Sequence, residues 1–290
     1  MATTVAYPGV GGHSALTSTA GALLAVLDAV LVTGQGWTKP FSSGNVAVYK
    51  QPAGSNGFYL RVDDSGTNFA RACLYETMSD VDTGTGQTPT SVQLNGGYYI
   101  HKKTPGDWIA FAHGGNFHIF TSYDSVRKYW FRVTDLISNK PADAYATYIN
   151  GQWVDSSSIT GVELTLSYSA TALSGGYVVR SSNGAGGSVN VAQLGTHSGT
   201  ELNYLGPVYP DPVSGKLRVA RLRVTDPSTA SPRGYLPGIL LEEHSSAVYA
   251  DRSTLDGTGH LAGRTFMAVS FGLSAAKQVL IETSDNWGPL

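Results

Sequence analysis

From Gly36 onward the chain is cut every few residues by strings that favour turns. They are Ser-Asn-Gly at 55–57, Asp-Asp-Ser-Gly-Thr at 63–67, Asp-Thr-Gly-Thr-Gly at 82–86, Asn-Gly-Gly at 95–97, Thr-Pro-Gly-Asp at 104–107 and His-Gly-Gly-Asn at 113–116. Between them lie short runs rich in aromatic and β-branched residues, the spacing of antiparallel strands that meander through tight turns. Strands are expected at Val46–Lys50, Phe58–Val62, Ala70–Met78, Tyr98–Lys102, Trp108–Ala112, Phe117–Tyr123 and Tyr129–Val133. His113-Gly114-Gly115-Asn116 reads as a hairpin. Along Phe117-His118-Ile119-Phe120 the alternation is imperfect, which leaves open the face that is buried.

The one convincing helix comes earlier. Ala20, Leu23, Leu24, Leu27, Val30 and Leu31 recur at steps of three and four, Thr17, Ser18 or Thr19 can cap the start, and Gly34 and Gly36 are placed to end it and turn the chain into the first strand. This face reads as packed on a sheet, with Asp28 off its centre. Trp37 is expected to anchor the helix-to-strand corner in the core.

A connection at Asn139–Asp143 either divides the chain into a helix-plus-β domain, 1–138, and a C-terminal β domain, 139–290, or joins two halves of one unit. Later strands are expected at Val162–Tyr168, Gly176–Arg180, Leu217–Val224, Thr265–Phe271 and Gln278–Thr283, with loops at 181–188, 205–215 and 227–234. No fixed-period repeat and no strand–helix alternation is visible, which disfavours solenoids, propellers and parallel α/β folds. The expected fold is mainly β: antiparallel β-sandwich or barrel-like sheets with one N-terminal amphipathic helix.

Composition narrows the function. Hydrophobic residues are 41% of the chain and charged residues only 14%, against the usual quarter. The net charge of −2 lacks the basic excess of a nucleic-acid binder. Glycine supplies 35 of the 290 residues. The single cysteine, Cys73, sits in an apolar run and reads as a buried structural residue. The first twelve residues carry no basic or long apolar segment, and the apolar run within 20–32 is too short to span a bilayer. A soluble chain made in the cytoplasm, or one built into an assembly, is expected, with no membrane and no nucleic acid as partner.

The chemical motifs are weak. Asp64-Ser65-Gly66-Thr67 and Asp82-Thr83-Gly84-Thr85 copy the Asp-Ser/Thr-Gly string of aspartic proteases, whose two carboxylates share a proton across two lobes. Here they lie eighteen residues apart with one strand between them, too close for two lobes, and both read as turns. Asp80 and Asp82 with Gly84 and Gly86 resemble a calcium loop but lack further oxygen ligands and a closing Glu. His101, His113 and His118 lack zinc-site spacing. Gly257–Gly263 misses the dinucleotide fingerprint by one residue, and no nucleophile elbow or P-loop occurs. No catalytic, cofactor-binding or metal-binding residue is assigned and no enzyme is expected. Tyr98, Tyr99, Trp108, Tyr123, Tyr129 and Trp130 could stack on sugar rings, or fill a core and subunit contacts.

The strings Gly36-Trp37-Thr38-Lys39-Pro40-Phe41-Ser42, Asn45–Lys50, Phe58–Gly66, Leu74–Gly86 with Pro89-Thr90, Arg233–Gly238 and Gln278–Trp287 carry a resemblance, as does the helix ending in Leu31-Val32-Thr33-Gly34. The chain resembles a family of virion structural proteins of tailed bacteriophages and prophages, most densely over 20–135. Some members carry a β-rich insertion between the helix and the tryptophan string; here the two run straight on. The resemblance implies a virion component assembled in the bacterial cytoplasm, in the tail or at a tail junction, in many copies or as a homo-oligomer. It implies other virion proteins as partners and transfers no catalytic residue. A capsid-surface decoration protein or a carbohydrate-binding module on the particle, touching a host glycan, are the alternatives.

Overall fold

The architecture comes from a computed structural model that describes residues 2–103, 106–122, 128–151, 176–181, 184, 189–194, 219–226, 231–242, 249–271 and 277–289. β1 (Thr4–Ala6) precedes α1 (Ala22–Leu27), which continues as a π-helical stretch, Asp28–Thr33. Then come β2 (Thr38–Ser43), β3 (Val46–Lys50), β4 (Tyr59–Asp63) and β5 (Phe69–Tyr75). The hairpin β6 (Thr77–Asp80) and β7 (Thr83–Thr85) leads to β8 (Tyr98–His101). Next are β9 (Trp108–His113), β10 (Asn116–Ser122), β11 (Lys128–Asp135), β12 (Ile137–Ser138), β13 (Thr147–Asn150), β14 (Gly176–Val178) and β15 (Val189–Leu194). The chain closes with β16 (Val219–Asp226), β17 (Ser231–Glu242), β18 (Thr254–Asp256), β19 (Thr265–Phe271) and β20 (Lys277–Glu282).

Among the described residues all strand pairings are antiparallel. One sheet has five strands in the order β2-β3-β4-β5-β8. A second has thirteen, in the order β1-β9-β10-β11-β13-β14-β15-β16-β17-β20-β19-β18, with β12 on β17, and β6 and β7 form a third of two strands. The fold is therefore mainly β with antiparallel sheets and one short helix, as the turn spacing predicts. No sheet closes into a barrel among the described residues.

The large sheet folds back on itself, so β9, β10 and β11 form a middle layer. One core holds Trp108, Ala110, Phe117, Ile119, Phe131 and Val133 against the helix residues Leu23, Leu27 and Leu31 and the five-stranded sheet. A second core holds the alternate residues Ile109, Phe111, Phe120 and Trp130 against Leu222, Ile239, Val269 and Ile281 of the C-terminal strands. This explains the imperfect pattern at 117–120. Period-2 alternation marks a strand with one wet face, and β10 has none: Phe117 to Ser122 are all buried.

The helix ends depart from the sequence reading. Thr17, Ser18 and Thr19 do not cap α1; Gly21 precedes it at φ +82° without a side-chain cap. Gly34 does not end the helical stretch, because its φ of −78° is helical. Gly36 ends it at φ +66°, a left-handed backbone that suits glycine, with its N–H donating to Val32 O at 3.1 Å. Gly34 is needed for room: a Cβ there would lie 2.6 Å from Thr4 Oγ1. Trp37 is 1% exposed and its indole N–H donates to Gly114 O at 2.8 Å, so the corner is anchored in the core.

The hairpin at 113–116 forms, with His113 opposite Asn116. Residues 231–234 of the expected 227–234 loop belong instead to β17, and Arg233 is buried there. The rest of that loop, 205–215, most of 181–188 and the strand expected at 162–168 lie outside the described residues. At the connection 139–143, Asp143 pairs with Arg233 at 2.8 Å, both side chains 1% exposed, and β12 pairs with β17.

Candidate functional site

Two clusters of buried polar groups join the layers. The first stands at the start of α1. Asp64 follows β4 directly, and its Oδ2 accepts the Leu23 N–H at 2.7 Å. Its backbone carbonyl accepts the Gly21 N–H at 3.0 Å. A carboxylate here satisfies the helix's orphan N–H groups and faces the positive end of its dipole. The other oxygen, Oδ1, accepts from Lys102, which also donates to Thr19 O at 2.7 Å and Gly66 O at 2.8 Å. Both side chains of this ion pair are fully buried. The cap that local sequence seeks at 17–19 thus comes from forty residues away.

The second cluster clasps the C-terminal segment. The Trp287 ring stacks on His113 with centroids 5.6 Å and planes 17° apart, and lies 5.6 Å from His118. Its indole N–H donates to Glu282 O at 3.1 Å. Gly238 makes room for it, since a Cβ there would meet the indole at 2.4 Å. The backbone N–H of Thr3 donates to Asp285 at 2.6 Å, and its hydroxyl donates to Ser284 O at 2.7 Å. Behind this, the Trp130 indole N–H donates to His118 Nδ1 at 3.3 Å, and the buried Arg132 guanidinium lies 3.8 Å from the Trp130 ring centroid. Burial, then the Arg132 charge, hold the His118 imidazole well below its usual range.

The residues singled out by motif take other places. Asp82 lies in the β6–β7 turn, exposed, and accepts from Arg61, while Asp64 is buried against Lys102. The two carboxylates thus serve different cations. Among the described residues no group of three His, Cys, Asp or Glu side chains could hold a metal ion, and the three histidines are spread over β8, β9 and β10. His101 is buried with its ring 4.6 Å from Tyr129, and burial, then Lys103, pushes its pKa down to about 3. Cys73 is buried, and burial pushes its thiol up to about 11, so little thiolate forms at neutral pH. Gly257–Gly263 spans a short 3₁₀ turn between β18 and β19.

Tyr98, Tyr99, Trp108, Tyr129 and Trp130 are all buried, so they fill the cores rather than offering a platform for a sugar; Tyr123 lies outside the described residues. The sequence reading missed Lys102, Arg132, Arg233 and Trp287. A signal existed for Lys102 and Arg132: each is a cation beside a run of aromatic and apolar residues, 98–101 and 129–133. No family model matches the chain, and no curated protein matches it either.

Proposed function

We propose that this chain is a structural component of a tailed-phage virion, in the tail or at a tail junction, and that its work is protein–protein contact. The observation that carries the reading is where the phage-like strings fall. Gly36 and Trp37 make the helix corner, Asp64 holds the helix start, Arg233 locks onto Asp143, and Gly238 receives Trp287. These are the joints of a scaffold, and a scaffold is what a particle subunit supplies. In this reading the chain is assembled in the bacterial cytoplasm, has other virion proteins and further copies of itself as partners, and needs no catalytic residue or cofactor.

The test is to purify particles from a host that produces the chain, identify it by mass spectrometry, and locate it by gold labelling and image reconstruction. Several symmetry-related copies at the tail are expected. Absence from purified particles overturns the proposal, and label spread over the head surface overturns the tail placement in favour of a decoration role. A glycan array probed with the purified chain should stay blank; saturable binding there replaces the scaffold reading with a carbohydrate-binding one.

A further inference from the structure

We propose that the His118 cluster is an acid-sensitive latch: protonation of His118 releases the Ser284–Trp287 segment, and with it Thr3, from the sandwich. The inference is independent of the virion reading.

The hydrogen-bond polarity sets the trigger. Trp130 donates its only indole N–H to His118 Nδ1, so that nitrogen must carry a lone pair. The remaining ring proton then sits on Nε2, 3.5 Å from Thr134 Oγ1. Protonation puts a second N–H on Nδ1, facing the Trp130 N–H, and two donors cannot bond each other. It also places a second cation in a site that already buries Arg132.

Among the described residues no carboxylate bonds to the His118 ring. From β11 the group facing His118 is Arg132; from β13 Tyr148 lies against the same guanidinium, at 5.6 Å. From β9 comes His113, and from the C-terminal segment Trp287 and Asp285. Among the described residues Arg132 is the one charge whose effect on His118 is resolved, and it is repulsive.

His113 behaves differently. The Thr3 hydroxyl gives its hydrogen to Ser284 O, so it accepts from His113 Nδ1 at 3.2 Å, and a protonated His113 keeps that bond. Burial, then the N-terminal amine, lowers the His113 pKa from its ordinary value, and the Asp285 carboxylate offsets this only in part. Acid therefore breaks a hydrogen bond of the clasp at His118, while His113 adds to the acid response through its burial.

The mechanical link is Trp287, whose ring touches both imidazoles. If His118 withdraws from Trp130, the indole loses one wall of its site. The neighbouring Asp285 and Ser284 hold Thr3, so release of the segment frees Thr3, while β1 stays on its ladder with β9 and Gln35 still donates to Ala2 O and Thr4 Oγ1. A histidine whose pKa is lower in the closed than in the open state stabilises the closed state fully above the open-state value, about 6.5, and progressively less as pH falls below it.

Amide hydrogen exchange on the intact chain, corrected for the chemical rate at each pH, tests this. Between pH 7.5 and 5.0 protection of 283–289 and of the Thr3 amide should fall about tenfold or more, while that of 4–6 and 59–75 holds. In His118→Gln, where the amide oxygen can accept from Trp130 and no proton is taken up, the fall should be several-fold smaller, leaving the part that His113 contributes. Unchanged wild-type protection, or the same pH profile in His118→Gln, overturns the latch. Should that variant fail to fold, the wild-type His118 ring signal followed by NMR decides. Its apparent pKa in the closed state must lie below about 6.5, and a ring that titrates at or above that value overturns the proposal.

Discussion

Asp64 shows how much one side chain can be asked to hold. It caps α1 from another element, seats the Lys102 ammonium and belongs to a string that copies a protease motif. Replacing it with Ala leaves Lys102 buried without its carboxylate, a loss of about 3–5 kcal/mol. Urea unfolding should show that loss, and Asp64→Leu with Lys102→Met should recover a large part of it because no charge is then stranded. His101 gives a second expectation. Its folded pKa of about 3 lies below the unfolded value, so its neutral form contributes stability above about pH 6.5 that is lost as pH falls toward the folded value. At pH 5 the loss is about 2 kcal/mol. His101→Gln should flatten that part of the curve of unfolding free energy against pH, and an unchanged slope would exclude His101 as its source.

The helix and its exit show which parts of an element are local. The apolar steps of α1 are read by the helix itself and are legible in the sequence, as are β3 and β19, whose bounds match their β-branched runs. The cap is not legible, because Asp64 reaches it through the fold of β4. Nor is β17: Pro232, Gly234, Pro237 and Gly238 look like turn residues, yet they lie in one bulged strand whose glycines admit Ile137 and Trp287 closely. The clasp was illegible for the same reason, since His113, His118 and Trp287 meet only across strands distant in sequence. At the corner after α1, Trp37→Ala should cost about 3–5 kcal/mol by emptying a buried ring site. Gly36→Ala should cost only about 1–2 kcal/mol, since its positive φ is strained but the space around it is open. Thermal melts of the two variants would rank them, and a reversed order would refute the corner's role.

Across the whole molecule, 14% charged residues fall short of the roughly 25–35% common on the surface of an independent small domain. In the proposed virion role, self-association or capture by another particle protein should therefore bury more than about 1,000 Å² in total for each interface. Sedimentation of the purified chain across concentration would reveal the first, and a monomer at all concentrations would leave contact with a different virion protein as the remaining route. The middle layer bears on how the chain can be divided. β9, β10 and β11 lend one face to each core, so the two cores share a wall. A fragment ending at residue 138 would turn Ile109, Phe111, Phe120 and Trp130 out to water, and a fragment starting at 139 would lack the surface its own strands close upon. Neither piece should survive expression as a soluble monomer, whereas the two produced together should associate and recover one shared melting transition.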